Sequence, residues 1–191
     1  MKKPIFTLLY IMAIVAATCS CAACKNSNKA ANDSLYPDTV ALKGPTFSAD
    51  SAYAFTAAQC AFGARTMNSD AHRQCGEWIM RKFREYGMTV EAQDADLKGY
   101  DGTLLHSRNI IARFRPECST RILLCAHWDS RPWADNDPDS TNWRKPVMGA
   151  NDGASGVAVM LEVARLLKSD TTLRVGIDFV CFDAEDWGTP Q

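Results

Sequence analysis

The chain has 191 residues, 21 basic against 22 acidic side chains for a net charge of −1, and a hydrophobic fraction of 47%. This composition excludes collagen, coiled coil and wholesale disorder, and the balanced charge leaves no basic footprint for nucleic acid. Eight cysteines are too few for a disulfide scaffold, so their positions carry more meaning than their number.

The first residues read as an address. Met1, Lys2 and Lys3 form a short basic start, and Ile5 to Ala17 is an apolar run interrupted only by Thr7. That run is too short to span a membrane comfortably and suits the core of a secretory signal. Cys19, Cys21 and Cys24 follow at once. Small residues before a cysteine, directly after a signal core, resemble the lipobox of bacterial lipoproteins. Ala22-Ala23-Cys24 fits best, with Cys21 second. The expected organisation is a signal peptide over 1–23 and a lipid anchor with a flexible tether over 24–47. The catalytic-type domain then occupies 48–191. A lipidated Cys24 would hold the protein on the membrane rather than across it. The expected location is the bacterial cell envelope, on the periplasmic or outer-membrane side.

In the domain, Ser48 to Phe62 reads as a helix capped by Ser48 or Asp50 and stopped at Gly63. Ser69 caps a stronger helix to Tyr86, with Cys75, Trp78, Ile79, Phe83 and Tyr86 on one stripe. Strands are expected at Thr89–Asp94, Asn109–Phe114 and Arg121–Ala126. The last is continuously apolar, as in a strand covered on both faces. A polar loop from Trp128 to Met148 leads to a helix over Ser155–Lys168 and a strand over Arg174–Phe182. Strand, loop, helix and strand make a crossover between parallel neighbours. The fold class is α/β, with a mixed, largely parallel central sheet flanked by helices. Of the later cysteines, Cys125 and Cys181 are expected buried within strands, and Cys60 with Cys75 is a candidate bridge.

Three acidic clusters stand at element ends. His127-Trp128-Asp129-Ser130 follows the third strand, and Asn151-Asp152-Gly153 precedes the crossover helix. Asp183-Ala184-Glu185-Asp186 follows the last strand. Ligands of open α/β sheets bind outside the carboxyl ends of strands. Carboxylates and an imidazole gathered on one rim repel unless a cation sits among them, and carboxylate with His suits zinc. A free carboxylate beside the metal can act as general acid and base. The glycines around Asp152 allow a tight turn. The plainer alternatives are Asp152 as a helix cap and Glu185-Asp186 as a solvated turn. Asp183 and Asp129 are expected to orient the ligands. Trp128, Trp133, Trp143 and Trp187 suggest an aromatic-lined pocket. His72, in the second helix, and His106, in a loop, are expected to be structural or exposed.

Together these motifs resemble the zinc aminopeptidase superfamily, and within it the glutaminyl-peptide cyclotransferase branch found as bacterial lipoproteins. Phe62-Gly63-Ala64-Arg65, Arg108-Asn109-Ile110-Ile111-Ala112 and His127-Trp128-Asp129-Ser130-Arg131-Pro132 carry the likeness beside the acidic clusters. The resemblance implies one zinc held by Asp152 and Asp186, with Glu185 as general acid and base. His127 becomes a ligand only if a second zinc binds. It implies peptides or proteins with an N-terminal Gln as substrates, cyclised to pyroglutamate with release of ammonia. A zinc aminopeptidase of the same fold, or an inactive envelope fragment, are the alternatives. The resemblance also implies a third ligand, a His far downstream, and no His follows Asp186. The chain is therefore expected to be a C-terminally truncated member, with the third zinc ligand absent and the fold incomplete.

Overall fold

The computed structural model describes residues 44–189. The expected signal, the lipidation cysteines Cys21 and Cys24, and most of the tether lie outside them.

Helix α1 spans Ala49–Cys60, and the Ser48 hydroxyl accepts a hydrogen bond from the Ser51 amide at its start. Helix α2 spans Asp70–Glu85, with Ser69 accepting from the His72 amide. These are the two expected helices, trimmed by a residue or two at each end. Strand β1 (Thr89–Lys98) pairs antiparallel with β2 (Leu104–Phe114). Strand β3 (Arg121–His127) leads through a loop to α3 (Ser155–Leu167), and β4 (Gly176–Phe182) follows. The expected crossover pair is present, since β3 and β4 run parallel with Leu124 opposite Phe179. The loop carries a short 3-10 turn at Ser140–Asn142.

The sheet is mixed, in the order β1-β2-β4-β3. Both other pairings among the described residues are antiparallel. The core lies where α2 and α3 meet the sheet. Ile79 and Phe83 of α2, Val157 and Leu161 of α3, and Ile110 and Phe179 of the sheet are each fully buried. Each such side chain contributes roughly 1.5–3 kcal/mol of burial. This stripe of α2 and this face of α3 are the ones the helical period picks out.

Four expectations are corrected here. Strand β3, which lies at the edge of the described sheet, is not covered on both faces. Leu123 is 59% exposed, and Cys125 is exposed rather than buried. The continuous apolar run reports β3's composition without saying which neighbours it meets. Cys60 and Cys75 are free thiols rather than a bridge, and burial pushes the Cys75 thiol up to about 12. His106 belongs to β2 rather than to a loop, where its Nδ1 meets Asp96 at 2.7 Å.

Candidate metal centre

The ends of β3 and β4 lie side by side, and the Trp128 amide extends the ladder by donating to the Phe182 carbonyl at 3.0 Å. His127 ends β3, and the turn Asp183–Asp186 leaves β4. The remaining cluster, with Asp152, comes in from the kinked segment Ala150–Ala154 before α3. Its shape depends on two glycines in the left-handed region, Gly149 (φ 63°) and Gly153 (φ 91°). A Cβ on Gly153 would stand 2.5 Å from the Asp129 carbonyl and 3.3 Å from the His127 ring. Only glycine lets the segment approach β3 this closely.

Asp152 does not cap α3. Its backbone is extended (φ −87°, ψ 109°), and the helix begins at Ser155 without a side-chain cap. Its carboxylate instead meets His127 Nε2 at 2.9 Å. Ligand atoms of His127, Asp152 and Asp186 all lie within 4.8 Å of one another. Glu185 stands beside them, its side chain 60% exposed and 3.8 Å from His127 Nδ1.

Asp129 organises the rim from below. It is fully buried. Its two oxygens accept from the Glu185 amide at 3.3 Å and the Asp186 amide at 3.0 Å, and one faces His127 Nδ1 at 3.4 Å. Asp183 orients a different partner. Its carboxylate faces His72 and accepts from the amides of Arg108 and Ala184. It reaches no member of the metal cluster directly. It shapes instead the turn before Glu185, where Ala184 is held at φ 61°.

The charges at the rim perturb one another. Asp129, then Asp152 and Glu185, lift His127 to about 9 against its burial. Asp129 dominates although its contact is longer, because it is buried while Asp152 is screened by solvent. Burial, with Asp152 and Asp129 adding, pushes Asp186 up to about 6. Asp186 Oδ2 is sealed from solvent and has no hydrogen-bond partner. A buried carboxylate oxygen of this kind calls for a cation. The donor set of one imidazole and two carboxylates therefore fits a divalent metal.

A pH signature follows. Both folded-state values are raised, so the folded metal-free protein holds more protons than the unfolded chain between about pH 4 and 6 (Asp186) and between about 6.5 and 9 (His127). Stability must then fall as pH rises through both windows. The melting temperature of metal-free protein is expected to decline from pH 5 to pH 9, and added zinc to reverse the decline. A flat profile would refute this electrostatic account.

The four tryptophans do not line one pocket. Trp128 is 1% exposed and stacks on His72 at 4.2 Å between centroids. Trp143 is 49% exposed. Only Trp133 and Trp187 pair near the rim, edge to face at 5.1 Å, with Tyr100 against Trp133. Trp128 turns inward because the backbone continues β3 by one residue, which reverses the side-chain direction after His127.

Sequence reasoning missed Arg65 as a site residue. It is fully buried and donates to the carbonyls of Trp128 (3.0 Å), Met148 (2.9 Å) and Gly149 (2.7 Å). It thus ties the loop bearing His127 to the segment bearing Asp152. The Phe62-Gly63-Ala64-Arg65 motif includes the residue, but nothing in a side-chain pattern marks an arginine that bonds only to carbonyls as a clamp. His72 did carry a signal. It sits one turn ahead of Cys75, Ile79 and Phe83 on the buried stripe of α2.

Residues 109–189 match the family model of peptidase family M28. The glutaminyl cyclase of Bacteroides thetaiotaomicron is 51% identical, with a TM-score of 0.76 over 78% of this chain and 50% of that one. The Tannerella forsythia glutaminyl cyclase is 50% identical, with a TM-score of 0.75 over 77% of this chain and 50% of that one. A Zn-dependent exopeptidase from Parabacteroides distasonis is 51% identical, with a TM-score of 0.75 and the same coverage. The chain spans half the length of these structures, and between 19% and 39% of the curated relatives it matches.

Proposed function

We propose that this chain, which has the fold of the bacterial glutaminyl cyclases, serves a zinc-dependent glutaminyl-peptide cyclotransferase. That enzyme converts the N-terminal Gln of peptides to pyroglutamate. The observation that carries the reading is the convergence of His127, Asp152 and Asp186 with Glu185 beside them, on a fold shared with glutaminyl cyclases at about half identity.

Asp152 and Asp186 would hold the zinc, with His127 able to join them. When bound, the ion would act as a Lewis acid on the side-chain amide carbonyl of the substrate. Glu185 takes a proton from the α-amine as its nitrogen attacks the amide carbon. It returns the proton to the departing nitrogen, so the amide bond breaks and ammonia leaves. Asp129 fixes the backbone of Glu185 and Asp186 through both carboxylate oxygens. The reaction needs a pocket that excludes water, which would otherwise deamidate the substrate. We also place the protein in the bacterial envelope, anchored through a lipid on Cys24 or Cys21. The basic, apolar and cysteine-bearing start of the sequence supports this.

A zinc aminopeptidase is the second reading. It is favoured by the 2.9 Å approach of His127 to Asp152, which suits a carboxylate shared between two ions. Incubation with peptides beginning in Gln is expected to release ammonia and give a blocked N-terminus, at one zinc per chain. Release of free amino acids at two zinc ions per chain would replace the cyclase with the peptidase. Neither product, in protein loaded with zinc, would refute both.

A further inference from the structure

His72 lies off the metal centre, yet it touches both strand exits that build it. It belongs to the first turn of α2 and is 5% exposed. Its Nε2 stands 2.8 Å and 3.0 Å from the two oxygens of Asp183, at the exit of β4. Its ring stacks on Trp128, at the exit of β3, with centroids 4.2 Å apart and planes 14° from parallel. Gly76, one turn further along α2, leaves room for the indole, since a Cβ there would stand 2.9 Å from Trp128 Cη2.

Arg108 of β2 closes the circuit with its backbone. Its amide donates to Asp183 at 2.6 Å, and its carbonyl accepts from Trp128 Nε1 at 3.1 Å. The Asp183 amide donates to the Asn109 side chain at 3.0 Å, and Asp183 Oδ1 accepts from the Ala184 amide at 2.9 Å. A carboxylate that already accepts from two amides is an acceptor toward the imidazole as well, so Nε2 is the donor whatever the charge of the ring.

The turn after β4 is thus held by two buried carboxylates. Three consecutive amides donate to them, that of Ala184 to Asp183 and those of Glu185 and Asp186 to Asp129. Ala184 is kept at φ 61°, which alanine adopts only where its surroundings enforce it. A carboxylate fixes an amide only while it is itself fixed, and the side chain that grips both Asp183 oxygens is His72. We propose that His72 is a positioning residue for Glu185, acting through Asp183 on the turn that presents the Glu185 carboxylate beside the metal cluster. It touches no reacting atom. Its consequence for turnover rests on the cyclase reading, whereas its hold on the turn does not.

The test pairs His72→Phe with His72→Gln. Phe keeps a ring to stack on Trp128 and removes the donor to Asp183. Gln gives up the ring and carries its amide nitrogen to about the place of Nε2. His72→Asn is a methylene too short to reach Asp183 and takes the place of Phe if that variant does not fold. Amide hydrogen exchange is followed by NMR in the full chain. With Phe or Asn, exchange at Ala184 and Glu185 is expected to rise about tenfold or more, the worth of a charge-assisted hydrogen bond, while Leu161 in the α3 core keeps its protection. With Gln it is expected to stay near wild type. In zinc-loaded protein that cyclises N-terminal Gln, kcat is expected to fall about ten- to a hundredfold with Phe, at unchanged KM and zinc content, and Gln is expected to recover most of it. Unchanged exchange at Ala184 and Glu185 with Phe or Asn, an equal rise with Gln, or a rise shared by Leu161 would each overturn the proposal. So would an unchanged kcat in His72→Phe. Wild-type protein that cyclises nothing would refute the cyclase reading, and the exchange measurement would still decide the role of His72.

Discussion

Glu185→Gln is expected to lower kcat for cyclisation of N-terminal Gln by ~10²–10⁴, the usual worth of a positioned proton shuttle. KM, zinc content and melting temperature should stay as they are. The split follows from the geometry. The Glu185 side chain is 60% exposed and its nearest charged neighbour, His127, is 3.8 Å away. Exchanging it for an isosteric amide then costs no more than about 0.5 kcal/mol of stability. What holds the residue in place is its backbone. Asp129 accepts from its amide, and the preceding Ala184 is kept at φ 61°, a conformation that costs of order 1–3 kcal/mol and persists only where the surroundings enforce it. Gln leaves all of that intact and removes only the proton acceptor. Asp152→Asn is the contrasting variant. It removes a proposed ligand, so zinc content falls with activity. Full activity in Glu185→Gln would sink both the cyclase and the peptidase readings, since each relies on the same shuttle.

Some of this was legible in the sequence because it depends on neighbours along the chain. Ser48 and Ser69 announce helix starts by residue type, and the Ile79–Phe83 stripe reports the face α2 buries. The three acidic clusters were placeable because each sits at an element end, and ends of parallel neighbours meet at one rim. What could not be read depends on neighbours in space. Leu123 and Cys125 look like core by composition, yet both are exposed on β3, because a run of apolar residues does not say which face another element covers. Trp128 looks like a rim aromatic beside His127, but one more residue of strand turns it to the opposite face. Asp183 and Asp129 are equally plausible orienting acids in sequence. The fold gives Asp129 to the metal rim and Asp183 to His72. Arg65 was invisible as a clamp because carbonyl acceptors belong to every residue and leave no mark in a side-chain pattern.

Arg65→Met should therefore be the most damaging single change to stability at the site. Methionine retains most of the side-chain volume, so little of the effect comes from a cavity. It leaves the buried carbonyls of Trp128 and Gly149, and the part-buried carbonyl of Met148, without their donor. Each orphaned buried acceptor costs about 1–3 kcal/mol. The combined loss is expected to be about 3–5 kcal/mol, which corresponds to a fall of about 10 °C or more in melting temperature for a domain of this size. Arg65→Lys separates geometry from charge. A lysine ammonium has three donors on a single point rather than a planar fork. It cannot span carbonyls on both the β3 loop and the Gly149 segment, so Lys is expected to recover only part of the loss. The metal centre should follow, because the two segments Arg65 ties together carry His127 and Asp152. Zinc affinity in Arg65→Lys is then expected to fall even at temperatures where the variant is fully folded. If Arg65→Lys melts like wild type and binds zinc as tightly, the fork is not what joins the two loops. The short Gly153–Asp129 approach would then have to hold them together alone.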